Sequence, residues 1–221
     1  MYKVRLSFYK KGYAKFISHL DLMRMFQRIF RIADVDVTFS QGFNPHPKMS
    51  IAHPLPVGVT SNEEYLDIQV DSKPDYEELV NRINNAMPHD IKIIRAWEPI
   101  EPMNLLCLSK YTVNFSLEKK IDYFQDYINA LKKKEDIVIA KKTKKGTSNV
   151  DIKPWIKSFD VISSDGINFT INMLLSTGEQ ANLKASSVLD ALVKYIPDFK
   201  IMYCDINRDC IMKENMTKID V

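Results

Sequence analysis

The chain has 221 residues, 45% hydrophobic and 27% charged, with only six glycines and ten prolines; this supplies a core for one large or two smaller domains and excludes a long disordered protein. No apolar run approaches the about 20 residues that cross a bilayer, and the opening MYKVRLSFYKKGY lacks the apolar stretch of a signal peptide, so no membrane contact and a cytoplasmic location are expected. The net charge of +3 hides a division, since residues 1–53 carry nine Lys/Arg against three Asp, residues 54–104 four against ten acids, and residues 105–160 twelve against seven, which leaves room for a face that attracts polyanions.

From Lys3 to Tyr9, Val4, Leu6 and Phe8 alternate with Arg5 and Ser7, which predicts a half-buried strand. Ser18, followed by Asp21 three residues later, predicts a capped helix to about Ala33, with Leu22, Phe26, Ile29 and Phe30 on one face. Val35 to Ser40 is expected as a short strand, Gln41 to Pro56 as a proline-rich connector, and Val57 to Val70 as another strand. Pro74 opens a second helix carrying Leu79, Val80, Ile83 and Met87, and Ile91 to Trp97 a strand. The order βαββαβ is that of a ferredoxin-like unit.

Glu98 to Asn104 reads as a linker, because its two prolines interrupt both ladders and helices. The pattern then starts again: a strand through Tyr111, Val113, Phe115 and Leu117, a helix with Phe124, Ile128 and Leu131, and a strand from Ile137 to Ala140. Ile167 to Leu175 and the stretch after Ser176 to Gly178 are expected to form a hairpin, followed by a helix from Ser187 to Tyr195 and a last strand from Lys200 to Ile206. The expected fold is α+β, with two tandem ferredoxin-like units of antiparallel sheet in residues 1–103 and 104–221 and a basic insert from Lys141 to Phe159.

Cys107, Cys204 and Cys210 are too scattered for a disulfide framework or a cluster-binding run, so reduced thiols and no cofactor are expected. At ~100° per residue, Arg24, Arg28 and Arg31 fall nearly opposite the apolar face of the first helix. Guanidinium forks suit phosphate and base contacts, although the same stripe also suits a solvated face. In the connector, Gly42 permits a turn, Phe43 offers an aromatic plate, and Asn44 and His46 precede prolines that hold them extended, which presents Asn44, His46 and Lys48 at low ordering cost. Lys141, Lys142, Lys144 and Lys145 add a second basic cluster around a possible hairpin. His19 and His46 are candidate acid and base for metal-free RNA cleavage. His19, Asp21, His46 and His53 lack the spacing of a standard zinc motif, and no phosphate-binding glycine loop is present.

Lys11-Gly12, Phe16-Ile17-Ser18-His19-Leu20-Asp21-Leu22-Met23-Arg24 and Ser40-Gln41-Gly42-Phe43-Asn44-Pro45-His46-Pro47-Lys48 together resemble the signature of the radical SAM-associated protein family, a bacterial domain-of-unknown-function family. Pro54 to Val59, Ser61 and Glu64 to Asp67 extend the likeness, while Asp151-Ile152-Lys153-Pro154 resembles a weaker second motif in which relatives more often carry arginine at Lys153. The resemblance implies a protein found beside, or fused to the C-terminus of, a B12-type radical SAM protein, with an RNA-linked role inferred from neighbouring genes. A tandem of this kind is also similar to CRISPR repeat-processing RNA endonucleases, although fold does not fix function. The reading that follows is an RNA-binding, non-catalytic accessory protein of a radical SAM enzyme, linked to RNA modification or processing. The alternatives are an endonuclease using His19 and His46, and a pure protein adaptor.

Overall fold

The structure, a computed structural model, describes residues 1–143, 146–178 and 181–220. They form a mixed α+β protein with a mostly antiparallel sheet and, among the described residues, four α-helices. The chain divides into two compact units, Met1–Leu106 with Arg208–Val221, and Cys107–Asn207.

The first unit contains β1 (Tyr2–Lys10), α1 (His19–Ile32), β2 (Met49–Ile51), β3 (Val59–Val70), α2 (Tyr76–Ala86) and β4 (Ile91–Trp97). β1 lies between β3 and β4, antiparallel to both, and β2 pairs antiparallel with the far side of β3. Alternation along β1 and β3 sends Val4, Leu6, Phe8, Leu66, Ile68 and Val70 into one core with Leu22, Phe26, Ile29 and Phe30 of α1 and Leu79 and Ile83 of α2. Full burial of a side chain such as Phe26 contributes roughly 1.5–3 kcal/mol.

The helices begin and end where their caps are satisfied. The Ser18 hydroxyl accepts from the Asp21 amide at 3.2 Å and the Asp75 carboxylate from the Glu78 amide at 2.9 Å. Arg82 donates to the Ala33 carbonyl at 2.9 and 2.7 Å just past α1.

The opposite sheet face carries Arg5 and Asp67. Arg5 donates to Asp67 at 2.6 and 2.8 Å and to Asp220 at 2.8 Å. Asp220 also accepts from the Trp97 indole at 2.8 Å and from the Ile100 and Glu101 amides at 3.1 and 2.7 Å. Tyr65, Leu106, Ile211 and Ile219 form a small apolar cluster here.

The second unit contains β5 (Leu106–Leu117), α3 (Phe124–Lys133), β6 (Val138–Thr143), β7 (Gly146–Asp151), β8 (Ile156–Ser164), β9 (Asn168–Ser176), α4 (Ala185–Tyr195) and the part of β10 (Ile201–Lys213) that precedes Arg208. β9 pairs antiparallel with both β5 and β8, and β6 with β7. Phe115, Phe124, Phe169 and Phe199 meet in its core, with ring centroids 4.4–6.3 Å apart. Such pairs contribute about 0.5–1.5 kcal/mol beyond their burial.

Two expected elements differ. Val35 to Ser40 forms only isolated bridges, Val37 to Val70 and Phe39 to Pro47; the place beside β3 is taken by Met49–Ile51, whose three residues are too short to carry a pattern. The hairpin of β9 is made with the strand before it. Asp165 accepts from the Ile167 and Asn168 amides at 2.9 and 2.7 Å while Gly166 takes φ 91°, so Asp-Gly makes the turn. The insert accordingly contains β7 and the start of β8.

Candidate functional site

Because Leu22, Phe26, Ile29 and Phe30 commit one side of α1 to the core, Arg24, Arg28 and Arg31 are exposed on the other. Arg24 pairs with Asp21 at 3.2 Å, both well solvated, which is worth at most about 1 kcal/mol. The Ser18 hydroxyl first and then Arg24 hold the Asp21 carboxyl below its ordinary range. Arg28 and Arg31 form no ion pair among the described residues.

The connector closes on itself. Ser40 donates its amide to the His46 carbonyl at 2.8 Å, and the His46 amide donates to the Ser40 hydroxyl at 3.0 Å. Lys48 donates its amide to Thr38 at 2.8 Å and accepts from Gln69 at 3.0 Å, which fixes the base of the loop to β3. Gly42, at φ 130°, adopts a conformation that favours glycine. Phe43, Asn44 and His46 are exposed at the tip, and Lys48 is half-buried beside an open cleft of about 510 Å³ that Lys3, Arg5, Ser50 and Gln69 also line.

His19 stands in different surroundings. Its Nδ1 is buried without a hydrogen-bond partner, and the residue borders a small cavity with Phe8, Lys10, Leu22, Leu55 and Glu64. Burial pulls the Lys10 ammonium below its ordinary range, Glu64 opposes that, and Arg208 adds to it. The buried Glu64 carboxylate receives Arg208 Nε at 2.8 Å, Arg208 Nη2 and the Ser61 hydroxyl, and Arg208 Nη2 also donates to the His53 carbonyl at 2.7 Å. His53 Nε2 donates to the Leu106 carbonyl at 2.6 Å, which ties it into the fold. No hydrogen bond among the described residues joins His19 to His46, and no three His, Cys, Asp or Glu gather as a metal site among them.

Lys10, Glu64 and Arg208 escaped the sequence reading. A signal existed for two of them: Lys10 continues the parity of Val4, Leu6 and Phe8, and Glu64 that of Leu66, Ile68 and Val70, so alternation puts both charges on the face that α1 and α2 cover.

In the second unit Lys141 is exposed on β6, and Lys142 pairs through its backbone with Thr147. Lys144 and Lys145 lie outside the described residues. Nearby, Lys132 pairs with Asp160 at 2.8 Å, Lys153 donates to the Lys132 carbonyl and to the Lys134 carbonyl at 2.9 Å, and Lys134 lies 5.1 Å from the Tyr195 ring. No helix among the described residues is long and apolar enough to cross a membrane.

Residues 3–185 match a family model described as "Uncharacterized protein conserved in bacteria (DUF2344)". No curated protein matches. Among solved structures, the chain is similar to a chain of a Cbf5-Nop10-Gar1 complex at 10% identity and TM-score 0.52, covering 96% of this chain and 50% of that one. It is also similar to chains of the archaeal box H/ACA sRNP Nop10-Cbf5 complex (11% identity, TM-score 0.49, 96% and 49% covered) and of an H/ACA RNP bound to a substrate RNA (9%, 0.45, 86% and 44%). The chain thus spans about half the length, or less, of these three solved chains, and the first likeness describes fold alone.

Proposed function

We propose that this protein, which belongs to the bacterial family whose model matches residues 3–185, binds RNA as a non-catalytic accessory protein of a B12-type radical SAM enzyme, in RNA modification or processing. The observation that carries the reading is the α1 stripe, on which Arg24, Arg28 and Arg31 are exposed and two of the three guanidinium groups have no counter-ion among the described residues. Free guanidinium groups in a row neutralise phosphates and release counterions. The Phe43–Lys48 connector adds an aromatic plate, the amide of Asn44, the ring of His46 and one cation, and Lys141 with Lys142, Lys144 and Lys145 supplies further phosphate contacts. The partner rests on the family resemblance carried by the Phe16–Arg24 and Ser40–Lys48 segments.

What supports the reading of one βαββαβ copy in each unit is the strand order: β4-β1-β3 in the first, where β3 also pairs with β2 and with β10, and β10-β5-β9-β8 in the second, with the β6–β7 hairpin inserted. The buried Nδ1 of His19, set against the exposed ring of His46, favours binding over cleavage by that pair.

The test is cross-linking in the native host, followed by RNA sequencing and protein identification on the same purified sample. Wild-type protein is expected to retain RNA together with a radical SAM enzyme, and the Arg24/Arg28/Arg31 triple alanine variant to lose the RNA. Recovery of the enzyme with no RNA would replace this reading by the protein adaptor.

A further inference from the structure

Three large apolar side chains ahead of and at the start of the arginine stripe have no role in the core. Tyr13 is 86%, Phe16 61% and Leu20 67% exposed. Phe and Leu are ordinarily buried, and large apolar side chains exposed together rather than singly mark a surface that meets a partner.

Tyr13 and Phe16 belong to the short 3-10 turn Gly12–Phe16, which is held at both ends. Tyr13 donates its amide to Asp90 at 2.9 Å, and the Lys15 carbonyl accepts from Gly58 at 2.7 Å. The rings are therefore displayed on fixed backbone, and little ordering cost attaches to binding through them. Leu20 lies on the exposed stripe itself, since residues 20, 24, 28 and 31 fall within about 80° of one another at ~100° per residue. From Leu20 to Arg31 that stripe runs about 16 Å at 1.5 Å per residue.

Two carboxylates border the patch, Asp90 at the Tyr13 amide and Asp21 on Arg24, and cations stand beside the rings and along the stripe. Lys15 Nζ lies 5.6 Å from the Phe16 ring centroid, and Arg24 follows Leu20 by one turn. Aromatic plates beside a row of cations are the elements with which proteins hold single strands, because every unpaired base has a face to stack while its phosphates seek positive charge. A duplex offers such plates nothing, since its bases are stacked on each other.

We infer that the RNA held at this surface is single-stranded, with unpaired bases stacked on Tyr13 and Phe16 while Arg24, Arg28 and Arg31 carry the adjoining phosphates. The inference rests on the proposed RNA-binding role and names the class of RNA.

The test uses the full chain, an unstructured fluorescein-labelled RNA oligonucleotide, and a perfect RNA duplex of equal length. Phe16→Ala and Tyr13→Ala are each expected to weaken the single strand about tenfold while leaving the salt slope unchanged, because no charge is removed. The duplex is expected to bind more weakly than the single strand and to be indifferent to both changes. Phe16→Trp is expected to restore affinity, with its added indole fluorescence quenched on binding. Wild-type affinity in the alanine variants, or equal binding of duplex and single strand, overturns stacking while an arginine-dependent salt slope leaves the RNA-binding role standing. Absence of binding to either RNA overturns both. Loss of a co-purifying protein from Phe16→Ala, with RNA affinity unchanged, assigns the patch to a protein partner and overturns the inference.

Discussion

Replacing Glu64 by Gln tests how the first unit tolerates charge inside its core. The side chains of Glu64 and Arg208 are both 2% exposed, and the Lys10 ammonium is buried nearby, so one carboxylate answers two cations. Glutamine keeps the shape and leaves no cavity, so the loss is electrostatic. Removing one partner of a buried ion pair costs about 3–5 kcal/mol, which for a chain of this length lowers Tm by roughly 10 °C. Lys10→Met is expected to behave in the opposite way. Lys10 Nζ reaches the Ile17 carbonyl only at 3.5 Å, and an apolar side chain of similar length avoids desolvating a charge. Its stability is therefore expected to stay within about 1 kcal/mol of wild type or to rise. Urea titration followed by circular dichroism, with calorimetry for Tm, reads both variants. A Glu64→Gln protein within about 1 kcal/mol of wild type, or a Lys10→Met protein damaged as severely as Glu64→Gln, would refute the reasoning.

Burial alone would raise the Asp220 carboxyl, but the Trp97 indole, the Glu101 amide, Arg5 and the Ile100 amide together hold it below its ordinary range. A depressed folded-state pKa gives stability that is present above the unfolded value of about 3.9 and lost as pH falls through the folded value. Urea midpoints measured from pH 6 downward are therefore expected to fall more steeply below about pH 4 for wild type than for Asp220→Asn, and parallel acid limbs would remove Asp220 from the account. His46→Ala is expected to change RNA affinity by less than about tenfold and to leave the RNA intact on a denaturing gel, as wild type does; cleavage by wild type that this variant abolishes would favour the endonuclease.

The two faces of α1 were legible because a 3.6-residue period leaves a residue little choice: once Phe26 and Ile29 face the core, Arg28 faces water. β1 was legible as a strand by the same logic at period two, and that logic extends to Lys10 and Glu64, whose parity contradicts their polarity; the expected half-burial was not met, because Arg5 and Ser7 on the other face are as buried as Leu6. Other features resist local reading. Met49–Ile51 is strand because β3 offers it a ladder, and three residues carry no period of their own. Val35 to Ser40 has the composition of a strand, yet only Val37 and Phe39 form bridges. Asp220 meets Arg5 across 215 positions of sequence, a contact that exists only once the chain is folded. The exposure of Tyr13 and Phe16 was equally hidden, since an aromatic in sequence is more often core than surface.

The most direct measurement is RNA affinity as a function of salt for wild type and for the Arg24/Arg28/Arg31 triple alanine variant, with the unstructured oligonucleotide as ligand. Each phosphate contact to a single strand contributes about −0.7 to the slope of log affinity against log salt. The expected result is a steep wild-type slope that becomes shallower by about 2 in the triple variant, with little loss of stability, since exposed changes rarely exceed about 0.5 kcal/mol. Salt-independent affinity, or a triple variant that binds as wild type does, would contradict it.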